Sequence, residues 1–120
     1  MSNSRLNLGK LGEDYAFERL KKMGYRILHQ NYRCPMGELD MIAEQDDSLV
    51  FIEVRTKSSN RYGTPAESIT RKKQAKLRQM AMVYLSNHRL FGKTCRFDVV
   101  CVEVDRAGQC ERIEIIKQAF

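Results

Sequence analysis

The chain has 120 residues, 42% of them apolar and 30% charged, with a formal net charge of +6. That size supports one domain around one core, so residues 1–120 are read as a single domain. No run of about 18 apolar residues occurs, which excludes a membrane-spanning helix, and Met1-Ser2-Asn3-Ser4-Arg5 leads into no apolar stretch of the kind a secretory signal needs.

In chain order, a first helix is expected from about Leu8 to Met23. Leu8, Leu11, Tyr15, Ala16, Leu20 and Met23 recur at helical spacing, and Gly24 stands where a left-handed cap belongs. Residues Tyr25 to Arg33 alternate as a first strand, Cys34-Pro35-Met36-Gly37 is a turn, and Glu38 to Glu44 is a second strand. Asp46-Asp47-Ser48 then reads as a tight hairpin before a third strand from Leu49 to Lys57. Ser58 to Pro65 is loop-like in composition, and Thr64-Pro65-Ala66-Glu67 has the spacing of a capping box with proline at the first helical position. A second helix runs from about Thr70, a candidate N-cap, to Asn87. A valine-rich fourth strand spans Arg96 to Val104, Ala107-Gly108 turns the chain, and Arg112 to Ile116 is a short fifth strand. Short connections make the first three strands an antiparallel meander, and the helical crossover makes the third and fourth parallel. The expected fold class is α/β, a mixed five-stranded sheet flanked by helices.

Charge is unevenly spread along this order. From Arg55 to Arg96 there are eleven Lys and Arg against one acid, Glu67, while the remainder holds ten basic and fourteen acidic residues. A basic half beside an acidic remainder suits a face that binds a polyanion; the alternative is a solvated basic helix. Cys34, Cys95, Cys101 and Cys110 are scattered without a C-x-x-C pair and read as reduced cysteines, in keeping with a cytoplasmic location, rather than as zinc ligands. His29 and His88 are isolated and suit surface or strand-edge positions.

The densest chemistry lies in Gly37-Glu38-Leu39-Asp40 and Phe51-Ile52-Glu53-Val54-Arg55-Thr56-Lys57. Period-two alternation puts Glu53, Arg55 and Lys57 on one face. Asp40 and Glu53 sit on hairpin-paired strands, where opposite residues approach within about 5 Å at Cβ, so their carboxylates can meet one cation. Mg²⁺ favours such a pair completed by water and substrate oxygens. Without a cation the two acids would repel. The competing reading has Glu53 paired with Arg55 or Lys57, and Asp40 capping a turn. Two more residues bear on the choice. Glu13 follows Gly9-x-x-Gly12, whose glycines allow close helix approach, and could bring a third acid, or it is a helpful charge in a first helical turn. Lys73 interrupts the apolar stripe Ile69, Leu77, Met80, Ala81, Tyr84, so it either meets an anion or snorkels past the core edge. Asp98 is read as a partner of Arg96 or a helix cap rather than a functional acid.

Taken together, Gly9-x-x-Gly12-Glu13-x-x-Ala16, Gly24-Tyr25, Asn31-x-Arg33, Gly37-Glu38-Leu39-Asp40, Val50-Phe51-Ile52-Glu53-Val54-Arg55, Tyr62-Gly63, Thr70-x-x-Lys73-Gln74 and Arg96-Phe97-Asp98-Val99-Val100 resemble the YraN-type family. These are small bacterial proteins assigned to the PD-(D/E)XK nuclease superfamily and similar to archaeal Holliday-junction resolvases. The resemblance covers the chain from about Leu8 to Phe120 and implies the restriction-endonuclease-like αβββαβ core, a single nuclease-like domain. By position it implies that Glu13, Asp40 and Glu53, with the Val54 carbonyl, hold Mg²⁺ or Mn²⁺, that Arg55 stands where the superfamily has lysine, and that Lys73 completes the site. Arginine is effectively always protonated and cannot act as a base, yet it can clamp a phosphate. The implied activity is metal-dependent endonucleolytic hydrolysis of DNA, including branched or structured DNA, with Asp40, Glu53, Arg55 and Lys73 catalytic. Lys57, Arg61, Arg71, Lys72, Lys76 and Arg78 are expected to track the nucleic-acid backbone. Resolvase-like relatives act as dimers, which admits a homodimer, although no self-complementary surface is identifiable here. The alternatives are a binding module that grips nucleic acid without turnover and an adaptor that meets a protein through the basic helix.

Overall fold

The computed structural model describes residues 7–58 and 69–120. Arg61, Tyr62-Gly63 and the expected Thr64-Pro65-Ala66-Glu67 turn lie outside the described residues. Helix α1 (Leu8–Lys22) starts at Asn7, whose side chain accepts the Lys10 N–H at 3.1 Å. It ends as expected at Gly24 (φ 93°), where the Tyr25 N–H reaches back to the Leu20 carbonyl at 3.0 Å and satisfies a terminal acceptor.

Three strands follow: β1 (Arg26–Cys34), β2 (Gly37–Gln45) and β3 (Ser48–Ser58). Asp46 and Asp47 both adopt positive φ, 51° and 64°, giving the two-residue turn whose twist matches the flanking strands. Helix α2 (Arg71–Asn87) is capped by the Thr70 hydroxyl, which accepts the Lys73 N–H at 3.1 Å; β4 (Cys95–Val104) and β5 (Cys110–Ile116) complete the chain. The sheet order is β1-β2-β3-β4-β5, antiparallel except for the parallel pair β3–β4, as the connection lengths require. The mixed five-stranded sheet flanked by helices is therefore the architecture observed.

Alternation along β3 divides the core into two layers. Val50 and Ile52 pack with Ala16 and Leu20 of α1, while Leu49 and Phe51 pack with Leu77, Met80, Ala81 and Tyr84 of α2. Ile69, expected within the α2 stripe, lies before the cap and packs instead with Val99 and Cys101 of β4. On the α1 side Asp98 is almost fully buried and fully employed: it accepts from Tyr25 Oη at 2.8 Å, from Arg96 Nε at 3.0 Å and from the Gln118 N–H at 3.1 Å. Burial and this hydrogen bond push the Tyr25 phenol up to about 12. Asp98 is thus the partner of Arg96, a buried charge that is paired and hydrogen-bonded as its burial demands.

The placement of α1 depends on Gly12. A Cβ added there would lie 1.7 Å from Thr56 Oγ1 and 2.8 Å from Thr56 Cβ, so the helix backbone rests directly on β3. Gly12→Ala should therefore lower stability by about 1–3 kcal/mol through overpacking, despite the better helix propensity of alanine. Urea denaturation measures this; a variant as stable as the parent would mean that α1 slides freely over Thr56.

Candidate functional site

The site begins where two strands part. β2 and β3 pair from Gln45↔Ser48 to Met41↔Ile52, and the next positions in that register are Asp40 and Glu53. There the ladder stops. Leu39 packs on the α2 side and Met41 on the α1 side, so the strict alternation of β2 breaks at Asp40. The Asp40 side chain points along the sheet toward β3, and its Oδ2 accepts the Val54 N–H at 2.7 Å. A side chain has taken over a donor that the ladder would otherwise satisfy.

Burial raises the Asp40 carboxyl to about 7; the Val54 N–H opposes the rise, and the charges of Glu53, Glu13 and Glu38 add to it. Glu13, carried on α1 one residue beyond the Gly12 contact, is likewise raised, by burial first and then by Glu38, with smaller contributions from Asp14 and Glu53 against Lys10. Four carboxylates from α1, β2 and β3 therefore share one electrostatic neighbourhood. Glu38 was not anticipated. Its side chain pairs with Arg33 across the β1–β2 hairpin at 2.9 Å, and the signal in the sequence was its place in Gly37-Glu38-Leu39-Asp40, two residues before Asp40.

Glu53 is 6% exposed and faces α2. Its Oε2 lies 3.4 Å from Arg55 Nη1 and 3.6 Å from Lys73 Nζ. The two cations keep 35% and 39% of their side-chain surface, so they form the mouth of the site while Glu53 forms its floor. Lys73 thus meets an anion from the first turn of α2. Lys57, expected beside Glu53, lies elsewhere: it is directly opposite Glu103 in the parallel β3–β4 register and pairs with it at 3.7 Å. Of the remaining expected contacts, Arg71, Lys72 and Lys76 are exposed along α2, and Arg78 lies over the Phe120 ring at 5.3 Å.

The family model described as "Uncharacterised protein family UPF0102" matches residues 12–102. The chain belongs to this family. A UPF0102 protein of Moorella thermoacetica is 48% identical over the whole of both chains, and one of Pelotomaculum thermopropionicum is 43% identical, also over the whole of both. A third, from Syntrophus aciditrophicus, is 46% identical over 96% of this chain and 89% of its own. This is the family that the ordered motifs resemble.

In this UPF0102 chain the donors are carboxylate oxygens beside a strand backbone, the hard ligands that Mg²⁺ or Mn²⁺ prefers. Among the described residues no three His, Cys, Asp or Glu side chains converge closely enough to ligate one ion together. Asp40 and Glu53 are thus at most a two-carboxylate donor set among the described residues, with Glu13 contributing charge from α1. No helix among the described residues is long and apolar enough to cross a membrane.

The raised Asp40 carboxyl has a definite effect on stability. A group whose pKa is higher folded than unfolded binds more protons in the folded state, so this contribution is present at low pH and is lost as pH rises from the ordinary carboxylate value of 3.8 toward about 7. Asp40→Asn, which keeps an acceptor for Val54, should flatten that decline and melt several degrees higher than the parent at pH 8 without divalent ions. Thermal melts of both proteins across this range decide it; parallel pH profiles would show that Asp40 carries no uncompensated charge.

Proposed function

We propose that this protein is a metal-dependent endonuclease that hydrolyses phosphodiester bonds in DNA, branched or structured DNA included. The single observation that carries the reading is Glu53 beneath two solvent-facing cations at the end of the β2–β3 ladder, with Asp40 at the adjoining position of β2 and raised in part by the Glu53 charge. Mutually repelling acids under a positive rim have little structural use, but they match the needs of phosphoryl transfer.

In this reading Asp40 and Glu53 would hold a divalent ion, which would supply an activated water and polarise the phosphoryl oxygen. Because the N–H and C=O of one strand residue point to the same side, the Val54 carbonyl faces the same gap as its N–H and is a further donor. Arg55 and Lys73 turn from Glu53 to the scissile phosphate and stabilise the charge that builds on its oxygens. Arg55 does this as a permanent cation with a planar fork and takes no proton. Glu13 adds negative potential from α1, and the contact of Gly12 with Thr56 sets how closely α1 approaches β3. Arg71, Lys72 and Lys76 grip the flanking backbone in a sequence-tolerant way, as does Arg78 from its place on Phe120. Lys57 serves the same face through its pair with Glu103.

A second reading has a specific observation behind it: Glu53 already has two cationic partners within 3.6 Å. If those pairs persist, the acids form a structural cluster and the protein binds nucleic acid without cutting it.

Cleavage of linear, flapped and four-way DNA in Mg²⁺ or Mn²⁺ separates the two. Glu53→Gln and Asp40→Asn should each lower the cutting rate by at least about 100-fold, the scale of lost electrostatic stabilisation, while DNA affinity is kept. Absence of cutting by the pure parent on all three substrates leaves the binding module. Removing Lys72 or Arg71 should reduce the slope of log affinity against log salt by about 1 each, as phosphate contacts do.

A further inference from the structure

A groove of about 500 Å³ runs between the β1–β2 turn and α2, lined by Met36, Lys72, Ala75, Lys76 and Gln79. Lys72, Lys76 and Gln79 recur at i, i+4 and i+7 and so form one stripe of the helix. Among the described residues neither lysine has a carboxylate at ion-pair distance, whereas Lys73, one position on, is engaged by Glu53. Along the chain both walls adjoin residues of the acid site. Met36 and Gly37 run directly into Glu38 and Asp40, and Lys72 adjoins Lys73. Gly37 adopts φ +146°, and a Cβ there would meet Lys76 Cε at 3.3 Å and Met80 Sδ at 3.5 Å. A residue without a side chain is what lets the lysine stem lie across the turn and close the groove's inner end.

We propose that this groove receives one unpaired nucleotide of a DNA strand next to the phosphate held at Asp40 and Glu53. The proposal rests on the nucleic-acid reading above and adds the strand structure that the site selects. Charge, size and wall chemistry each point the same way. Two unpaired ammonium groups suit the phosphates on either side of a nucleotide. Clefts of roughly 300–1,000 Å³ hold single small ligands, and the groove falls in that range, with a two-residue turn on one side and a helix on the other. The Met36 thioether and the lysine methylenes offer an apolar surface to a base face, and the Gln79 amide offers one donor and one acceptor to a base edge. The Watson–Crick edge is free for this only when the base is unpaired.

The test is binding of the full chain, without divalent ions, to a fluorescent blunt duplex and to the same duplex carrying a short single-stranded arm. The parent should bind the armed DNA about tenfold more tightly, the lower end of what one base contact contributes in single-strand binding. Met36→Ala/Gln79→Ala should abolish that preference and leave the blunt-duplex affinity unchanged. Because Met36 also packs against the α2 core, Gln79→Glu, at an exposed position, repeats the test by charge repulsion alone. Equal binding of both DNAs by the parent, or equal loss of both in the variants, overturns the proposal. The hydrolase reading fails separately: an arm preference in a protein that never cuts leaves the groove standing without the nuclease. Cutting without any arm preference removes the groove and leaves the nuclease. A parent that binds neither DNA overturns both.

Discussion

Where β2 turns away from β3, the Val54 amide loses the carbonyl that an unbroken ladder would offer, and the Asp40 carboxylate accepts it instead at 2.7 Å. Much of the site follows from that substitution. It draws a charged group sideways into a partly buried gap, keeps Asp40 close to Glu53, and leaves the strand backbone facing the same gap. The cost is an acid held at a pKa of about 7 by burial and by its acidic neighbours. Asp98 is even more deeply buried, but it is met by Arg96, Tyr25 and the Gln118 amide. Two buried aspartates on one sheet thus have different surroundings, donors around Asp98 and, beside a single amide, acids around Asp40.

The positive charge of the chain is sorted by the same local rules. Lys57 is held by the residue directly opposite it in the parallel ladder, Glu103, and Arg78 lies over Phe120. Arg55 and Lys73 converge on Glu53, while Lys72 and Lys76 project into the groove beside the β1–β2 turn. A basic stretch that looks uniform along the chain is therefore divided into cations held by a neighbouring side chain, cations poised over an acid, and cations with no carboxylate partner among the described residues.

The elements, the parallel β3–β4 pair, the capping roles of Thr70 and Gly24, and the Asp46-Asp47 turn all follow from nearest-neighbour chemistry: periodicity, φ preference and connection length. Membership of UPF0102 is equally a property of ordered residues and was accessible before any coordinate. The register leading up to Asp40 and Glu53 was legible too, because a tight hairpin fixes the pairing from Gln45↔Ser48 to Met41↔Ile52. What could not be read was the break in alternation at Asp40, since period-two logic assumes a regular strand and would place Leu39 and Met41 on the same face. The partner of Lys57 was hidden for a related reason. It depends on the register of a strand that lies about forty residues away, across a helical crossover that no local rule specifies.

Sequence alone, then, determined the order of elements, the family, and the register of the β2–β3 hairpin, because each of these rests on contacts between residues close along the chain. Tertiary structure decided which charges are buried, which are already paired, and where a groove opens between turn and helix. Those outcomes depend on desolvation and on distances between distant segments, and both exist only once the two helices have closed on the sheet.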